Sequence, residues 1–183
     1  MPEEHTDTSY HHGDLRNALL EAAESLLEEK GVAGTSLREV AKAAGVSHAA
    51  PYRHFRDKNA LLAGLAQVGF ERLAAAMGQC ITDHPGDPLA QLRQASHAYV
   101  SLATDHPQMT HLMFGGVIQP QHWTAGLKFD SERAFEGLLR IVRNGQAAGL
   151  YIDKDTHDIA LLAWSTVHGF ALLCTAGHLS LIA

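Results

Sequence analysis

The chain has 183 residues, of which 46% are hydrophobic and 19% are charged, and its formal net charge is −6. These values are typical of a soluble globular protein and argue against non-specific nucleic-acid binding by the chain as a whole. The N-terminus lacks the basic and apolar segments of a secretory signal. The two cysteines, Cys80 and Cys174, form no paired motif. We therefore expect a cytoplasmic protein with reduced thiols.

The first part of the chain predicts two helices after a loose arm at residues 1–9. Apolar residues recur at helical spacing after Gly13, and Gly31 ends that pattern. A second helix is predicted to begin at "TSLRE". There Ser36 and Glu39 have the spacing of a capping box, in which each side chain bonds a backbone N–H at the other's position.

The stretch "GVSHAAPYRHFR" at residues 45–56 predicts a turn and a short third helix. Gly45 turns the chain, and Ser47 has the chemistry of an N-cap for a helix from His48 to Phe55. Pro51 would then be the fourth helical residue and would forfeit about one backbone hydrogen bond, to Ser47. We expect tertiary packing to hold this helix in place.

The rest of the chain also has helical periodicity, and no strand pattern of period two stands out. A long fourth helix is predicted from near Asp57 to about residue 82, and "DHPGDP" at 83–88 is the clearest break. Four more helices are predicted, at Leu89–His106, Pro107–Phe114, Phe129–Gly149 and Thr156–Gly177. We therefore expect an all-α chain with a helix-turn-helix domain at residues 10–58, a linking helix, and a C-terminal helical domain at residues 83–183.

Two short helices joined by a tight turn form a helix-turn-helix, although a plain corner between two helices has the same pattern. Charge and side-chain size favour DNA binding. Between residues 37 and 58 five cations stand against two anions, a local excess of +3. Ala49 and Ala50 are small enough for close approach to a base edge, and Tyr52, His54 and Lys58 can donate hydrogen bonds to phosphate.

Residues 18–62, "ALLEAAESLLEEKGVAGTSLREVAKAAGVSHAAPYRHFRDKNALL", closely resemble the N-terminal DNA-binding domain of the tetracycline-repressor (TetR) family. The matching positions are Gly31, Ser36, Val40, Ala41, Ala44, Gly45, Val46, Ser47, Tyr52, His54, Phe55 and Lys58. The sequence departs at Pro51, where many relatives have Leu. Residues 10–16 and "APYRHF" resemble one subgroup, whose C-terminal domain carries a Trp-x-x-x-His-Gly mark. That mark stands here as Trp164, His168 and Gly169.

The resemblance implies a homodimer that binds adjacent half-sites of a palindromic operator on double-stranded DNA. It also implies a C-terminal domain for dimerisation and for a small effector that releases the repressor. Carried over by position, residues 48–50 face base edges and most of the others serve the DNA backbone, with Arg38 also placed to reach a base. The predicted DNA-binding residues are Ser36, Arg38, Ser47, His48, Ala49, Ala50, Tyr52, Arg53, His54 and Lys58.

The effector is predicted to be a small, largely apolar molecule, because methionines and aromatic residues form adaptable apolar walls. His168 stands one turn after Trp164 and can supply one directed hydrogen bond, and a buried structural histidine is the alternative. The predicted ligand-binding residues are Tyr99, Met109, Met113, Phe114, Trp123, Phe135, Trp164 and His168.

Residues 159–183 contain no Asp, Glu, Lys or Arg. Such a run suggests either a membrane span or a helix buried between two subunits. Polar residues in its middle argue against the membrane, and Gly169 is expected at a close helix contact. The TetR dimer usually uses two C-terminal helices per subunit, and this sequence ends at Ala183, soon after the first.

The 13 histidines invite a metal-site interpretation, but no two have the i, i+4 spacing that chelates a metal on a helix, and no Cys-x-x-Cys occurs. No nucleophile elbow or phosphate-binding loop is present either. We therefore predict neither catalytic residues, nor a metal site, nor a cofactor. The alternative is a metal- or ligand-binding helical protein, or an enzyme, whose helix-turn-helix is incidental.

Overall fold

In a computed structural model of the chain, residues 12–152 and 154–178 are described, so the predicted arm at residues 1–9 lies outside them. The chain divides into two compact units, one up to Leu61 and one from Leu62. The predicted linking helix therefore falls mostly in the second unit. All regular elements within the described ranges are helical, which confirms the all-α fold.

The first unit contains α1 (His12–Gly34), α2 (Leu37–Ala43), a 3-10 helix (Pro51–Arg53) and the beginning of α3 (Lys58–Asp83). The leucines of α1 at helical spacing, such as Leu19 and Leu27, are fully buried. Gly31 has a φ of 64°, which L side chains rarely adopt, so the helical geometry breaks where the sequence predicts an end, and a last turn follows to Gly34.

The predicted cap of α2 is confirmed. Ser36 Oγ accepts a hydrogen bond of 3.2 Å from the Glu39 backbone N–H, and Ser36 itself has extended backbone angles. Leu37, Val40 and Ala41 are buried on the inner face of this short helix. The cap and the buried face together fix where α2 begins and which side of it faces solvent.

The prediction of a third helix from His48 to Phe55 with Ser47 as its N-cap is wrong. The chain makes a turn, in which the Ala50 N–H bonds Ser47 O at 3.0 Å, and then one 3-10 turn over Pro51–Arg53. Ala50 is the capping residue, so Pro51 is the first helical residue and not the fourth. At that position the missing N–H costs no hydrogen bond, and the fixed φ of proline favours the turn.

The second unit contains most of α3, then α4 (Pro88–Asp105), α5 (Pro107–Phe114), a 3-10 helix (Pro120–His122), α6 (Ala125–Ala147) and α7 (Thr156–Thr175). The four predicted helices are confirmed, α5 with its predicted bounds and the other three with shifted ends. The largest shift is at α6, which begins before the predicted Phe129 because Thr124 Oγ1 accepts from the Leu127 N–H at 3.1 Å. Asp87 and Asp155 cap α4 and α7 in the same way.

Two buried polar side chains in the second unit, Asp130 and Gln91, are paired across helices. Asp130 of α6 is only 3% exposed, and it accepts hydrogen bonds from Arg133 at 2.6 Å and from Gln67 of α3 at 3.0 Å. Gln91 of α4 accepts from Asn144 of α6 at 2.9 Å. Since a buried polar group without a partner is costly, these bonds fix the register of the packed helices.

Two helices, α3 and α7, are long and apolar enough to cross a bilayer when judged by length and composition alone. Most of the apolar stretch of α3 is buried, as in the core helix of a soluble protein, whereas only 11% of the α7 stretch is buried in this single chain. The exposed leucines and phenylalanine of α7 include Leu161, Leu162, Phe170 and Leu173. These side chains lack an apolar cover within the described part of the chain.

The close approach of α3 and α6 gives a first prediction. A Cβ added at Gly137 would stand 2.5 Å from Met77 Cβ. Because Met77 Cβ is fixed to the backbone and cannot rotate away, we expect Gly137→Ala to lower the free energy of unfolding by about 1–3 kcal/mol. Chemical denaturation at a fixed protein concentration measures the difference.

Gly78→Ala is the matched control, because a Cβ at this helical glycine would meet no heavy atom within 4 Å. That change should raise the free energy of unfolding by up to about 1 kcal/mol, since alanine favours the helix. Equal effects of the two substitutions would contradict the close packing at Gly137.

Candidate DNA-binding surface and ligand cavity

The residues predicted to meet DNA bases lie on an exposed turn, defined here as Ser47–Arg53. Ser47, His48 and Ala49 are exposed, Ala50 is half-buried, and Arg53 is exposed. Tyr52 is 58% exposed, which is unusual for a large aromatic ring. The turn therefore presents small side chains first and an aromatic hydroxyl and a cation after them.

The exposed turn is held from below by buried residues. Pro51 is buried, and Phe55 is only 3% exposed, with the Arg16 guanidinium 5.6 Å from its ring centroid. Gly45 has a φ of 68°, and the Val46 N–H bonds Ala41 O at 3.0 Å, so the turn is tied back to α2. The backbone of the exposed turn is thus supported without using its outward side chains.

Exposed cations flank this turn. Arg38 and Lys42 of α2 are exposed, and so is Arg56, which pairs with Asp57 at 3.0 Å. Ser36 already uses its hydroxyl oxygen in the cap of α2. The positive side chains available to a phosphate backbone are therefore mainly Arg38, Lys42 and Arg53.

Two of the predicted backbone contacts point into the first unit. Lys58 Nζ donates hydrogen bonds to Val32 O at 2.5 Å and to Ala33 O at 3.3 Å, so it closes the end of α1. His54 Nε2 is buried and has no hydrogen-bond partner among the described residues. In this conformation, the Lys58 ammonium is engaged by protein, and His54 Nε2 is shielded from DNA.

The second unit encloses a cavity of about 400 Å³, called here the ligand cavity. Its walls come from α3, α4, α5, α6, α7 and the segment before α6, and they are mainly apolar. Six of the eight predicted ligand-binding residues line it: Tyr99, Met113, Phe114, Trp123, Phe135 and Trp164. Their role in binding a ligand stays a prediction.

The two other predicted residues lie outside the cavity wall. Met109 is fully buried. A Cβ built at Gly69 of α3 would stand 3.3 Å from Met109 Cγ, so the Met109 side chain fills the close contact between α5 and α3. His168 stands behind Tyr99, with Nδ1 2.6 Å from the Tyr99 hydroxyl oxygen. The histidine therefore orients a wall residue and does not itself reach the cavity.

The bond between Tyr99 and His168 joins two neutral groups. Burial raises the pKa of Tyr99 to about 12, and a hydrogen bond from the Trp164 side chain partly opposes this rise. Burial also lowers the pKa of His168, which favours the uncharged imidazole. Since the indole N–H of Trp164 can only donate, the Tyr99 hydroxyl oxygen accepts from it, and the direction of the bond to His168 Nδ1 follows the tautomer of the imidazole.

Sequence reasoning missed part of the cavity wall. Phe70, Leu73 and Met77 of α3 line it, together with the polar residues Ser96, Ser131 and Glu132. The apolar face of α3 is visible in the sequence, but helical periodicity does not say which neighbouring helix that face meets. The polar residues carry no sequence signal at all, because isolated Ser and Glu on helices are usually solvated.

Within residues 12–152 and 154–178, no group of three or more His, Cys, Asp or Glu side chains is arranged to hold a metal ion. Cys80 is buried, and burial raises the pKa of its thiol, so the reactive thiolate is disfavoured.

Comparison with known proteins identifies both parts of the chain. The model of bacterial regulatory proteins of the tetR family matches residues 19–65. The model of the tetracyclin repressor-like C-terminal domain matches residues 92–183, half of the chain. The chain therefore belongs to the tetR family.

The HTH-type transcriptional regulator AcrR of Shigella flexneri is 37% identical over 81 residues, which are 44% of this chain and 38% of AcrR. The chain thus spans well under two thirds of this curated relative. AcrR is a regulator and not an enzyme, in agreement with the prediction that this chain is no enzyme.

Two solved structures resemble this chain over most of its length. A protein with unknown function from a Rhodococcus species has a TM-score of 0.84 and 42% identity, over 95% of this chain and 89% of that one. The TetR family transcriptional regulator PfmR from Thermus thermophilus has a TM-score of 0.67 and 26% identity, over 84% of each chain.

The lowered pKa of His168 predicts a pH dependence of stability. As pH falls below about 6.5, the unfolded chain takes up a proton that the folded His168 resists, so stability decreases until the folded imidazole titrates as well. The wild-type protein should therefore lose more free energy of unfolding between about pH 7.5 and about pH 5 than His168→Gln does. Urea denaturation at both pH values measures the two losses.

His97→Gln is the control, since it removes an exposed histidine from α4 and leaves the aromatic cluster unchanged. This cluster is defined here as Phe70, Tyr99, Phe114, Trp164 and His168. It should behave like the wild-type protein. Equal losses in the wild-type and His168→Gln proteins would show that His168 is not kept neutral by the fold.

Proposed function

We propose that this protein is a DNA-binding transcriptional regulator that represses from a palindromic operator and leaves it when a small, largely apolar effector binds. The observation that carries the proposal is the exposed turn at Ser47–Arg53, supported from below by Pro51 and Phe55. In a member of the tetR family, an exposed, rigid turn with small side chains is the surface expected to enter a major groove.

The charge distribution supports DNA binding by the first unit. The chain as a whole is acidic, with a net charge of −6, but Arg38, Lys42 and Arg53 are all exposed around the turn. Cations at the edges of a reading surface hold phosphates and fix its register on the duplex. The proposed division is therefore base contact by residues 48–50 and backbone contact by these cations and Tyr52.

The ligand cavity supports the effector part of the proposal. Its volume of about 400 Å³ lies within the usual range of small-molecule sites, and aromatic and aliphatic side chains form most of its wall. The helix α3 begins at Lys58, beside the end of α1, and carries Phe70, Leu73 and Met77 in the cavity wall. We propose that this helix couples effector binding to DNA release, with a typical coupling of about 1–3 kcal/mol.

The exposed apolar face of α7 supports a homodimer. Leu162 is 69% exposed, Phe170 is 48% exposed and Leu173 is 44% exposed. A Cβ at Gly169 would meet no heavy atom within 4 Å, so nothing in the described part of the chain requires glycine there. We propose that a second copy packs closely against this face, which also gives a two-fold protein for a palindromic site.

The aromatic cluster supports the subgroup with the Trp-x-x-x-His-Gly mark. Trp164 and His168 lie on one face of α7 with ring centroids 6.4 Å apart, and both contact Phe114. Gly169 follows on the open side. We propose that Trp164 and His168 of this mark pack inside the subunit and that Gly169 contacts the second subunit.

We also propose that the protein acts in the cytoplasm.

The exposed turn gives a prediction about DNA binding. Tyr52→Ala should weaken binding to the operator and to unrelated duplexes alike, by about 3–10-fold, because a phosphate contact carries no sequence information. Arg53→Gln should in addition reduce the slope of log K against log salt by about one per subunit, because a cation is lost. Gel shifts at several salt concentrations, with an operator selected from random duplexes, measure both effects.

Leu89→Ala is the control for DNA binding. It also removes a large exposed side chain, 62% exposed, but this side chain belongs to α4 of the second unit and not to the exposed turn. It should bind DNA like the wild-type protein. Wild-type affinity in the Tyr52 variant together with an unchanged salt slope in the Arg53 variant would rule out the exposed turn as the DNA-binding surface.

The open face at Gly169 gives a prediction about assembly. Gly169→Leu should overpack the subunit contact at a cost of about 1–3 kcal/mol and shift the dimer toward monomer. Ala147→Leu adds the same side chain at an exposed site of α6 and should leave the dimer intact. Sedimentation of both variants at micromolar concentration measures this. A wild-type monomer, or an unaffected Gly169→Leu dimer, would contradict the proposed contact.

A further inference from the structure

The hydroxyl groups in the wall of the ligand cavity share one property: they are already engaged in hydrogen bonds within the protein. Ser96 Oγ donates to Leu92 O at 2.9 Å, and Ser131 Oγ donates to Lys128 O at 2.8 Å. The Tyr99 hydroxyl is engaged by His168 Nδ1, 2.6 Å away. What the two serine oxygens still offer toward the cavity is lone pairs.

The two indoles in the wall follow the same rule. Trp123 Nε1 donates to Ile118 O at 3.2 Å, and the Trp164 side chain hydrogen-bonds the Tyr99 hydroxyl. An indole has one N–H and no acceptor, so neither ring retains a donor for a bound molecule. Both rings present only their faces and edges to the cavity.

The charge in the wall has one sign. Glu132 lines the cavity, and within the described part of the chain no Lys or Arg does so. The Glu132 side chain is 65% exposed, so it lies where the cavity meets solvent. Lys128 stands 3.8 Å from it, as an exposed partner that is not part of the wall.

We infer that the ligand cavity takes a molecule with an apolar body and a cationic or hydrogen-bond-donating head group, and that it discriminates against carboxylates. The apolar body fills the aromatic wall, and the head group meets the Glu132 carboxylate and the lone pairs of Ser96 and Ser131. This inference deepens the proposed function and rests on its effector part.

A carboxylate head group is poorly matched to this wall. It needs donors, and a serine hydroxyl that turned toward it would give up its bond to the Leu92 or Lys128 carbonyl. It would also approach the like charge of Glu132. An incoming ammonium uses lone pairs that are already free, so the same wall favours one charge and disfavours the other.

The test uses three probes with one ten-carbon tail: decylamine, decanol and decanoate, at neutral pH and below their micellar concentrations. The two tryptophans of the chain, Trp123 and Trp164, both line the cavity, so intrinsic fluorescence reports on it directly. We expect decylamine to bind most tightly, decanol next, and decanoate weaker than decylamine by about tenfold, since attraction in one case and repulsion in the other add up. Preferential binding of decanoate, or no binding of any probe, would overturn the inference.

Charge variants on α6 separate the cavity from the surface. Because Glu132 is largely exposed, Glu132→Gln should weaken decylamine by about three- to fivefold and leave decanol unchanged. Glu136→Gln is the matched control, since Glu136 pairs with Arg143 at 2.9 Å and does not line the cavity. Lys128→Gln should not weaken decylamine. Loss of decanoate binding in that variant, or equal effects of the two glutamate variants, would overturn the inference.

The ligand titration contains no DNA, so a failure of the ligand inference can be distinguished from a failure of the regulator proposal. Decylamine binding by a protein that binds no selected duplex would refute the regulator and leave the ligand class standing. Operator binding combined with a preference for decanoate would refute the ligand class and leave the regulator standing.

Discussion

The packing of Phe114 against four other rings is the contact on which the second unit depends. Its ring centroid lies 5.3 Å from Phe70, 6.0 Å from Tyr99, 5.6 Å from Trp164 and 5.4 Å from His168. Together with Phe114 itself, these rings belong to four different helices. Rigid aromatic rings meet at tilted angles and keep those helices apart where shorter side chains would collapse. The ligand cavity is the space that this spacing leaves.

The two units therefore expose different physical chemistry. In the first unit, buried Pro51 and Phe55 support the backbone of the exposed turn, so its outward side chains are not used for that support. Polar and small groups are therefore available to a duplex. In the second, the serine hydroxyls of the wall bond the backbone and the Tyr99 hydroxyl bonds His168, so the cavity offers apolar surface and lone pairs. We propose that the charged surface serves DNA and the apolar cavity serves an effector, and α3 is the covalent path that they share.

Local rules predicted the helices well and failed where packing chose between two local solutions. The Ser36 cap of α2 followed from side-chain chemistry alone and is present. Ser47 has the same chemistry, but the chain starts its 3-10 turn at Ala50, where Pro51 loses no hydrogen bond and becomes buried. Lys58 matched a phosphate-binding position, yet its ammonium bonds Val32 O. For Lys58, a contact 26 residues away in sequence decided between two locally acceptable arrangements.

The sequence by itself determined the all-α class and the position of most helix ends, because caps, glycines and apolar spacing act over a few residues. It also identified six of the cavity residues, since aromatic and methionine side chains form adaptable apolar walls. Only the tertiary structure decided that Met109 and His168 lie outside the wall of the ligand cavity and that α3 and Glu132 form part of it. Which face of a helix packs against which neighbouring helix depends on close packing between helices, and the apolar periodicity of the sequence does not contain that information.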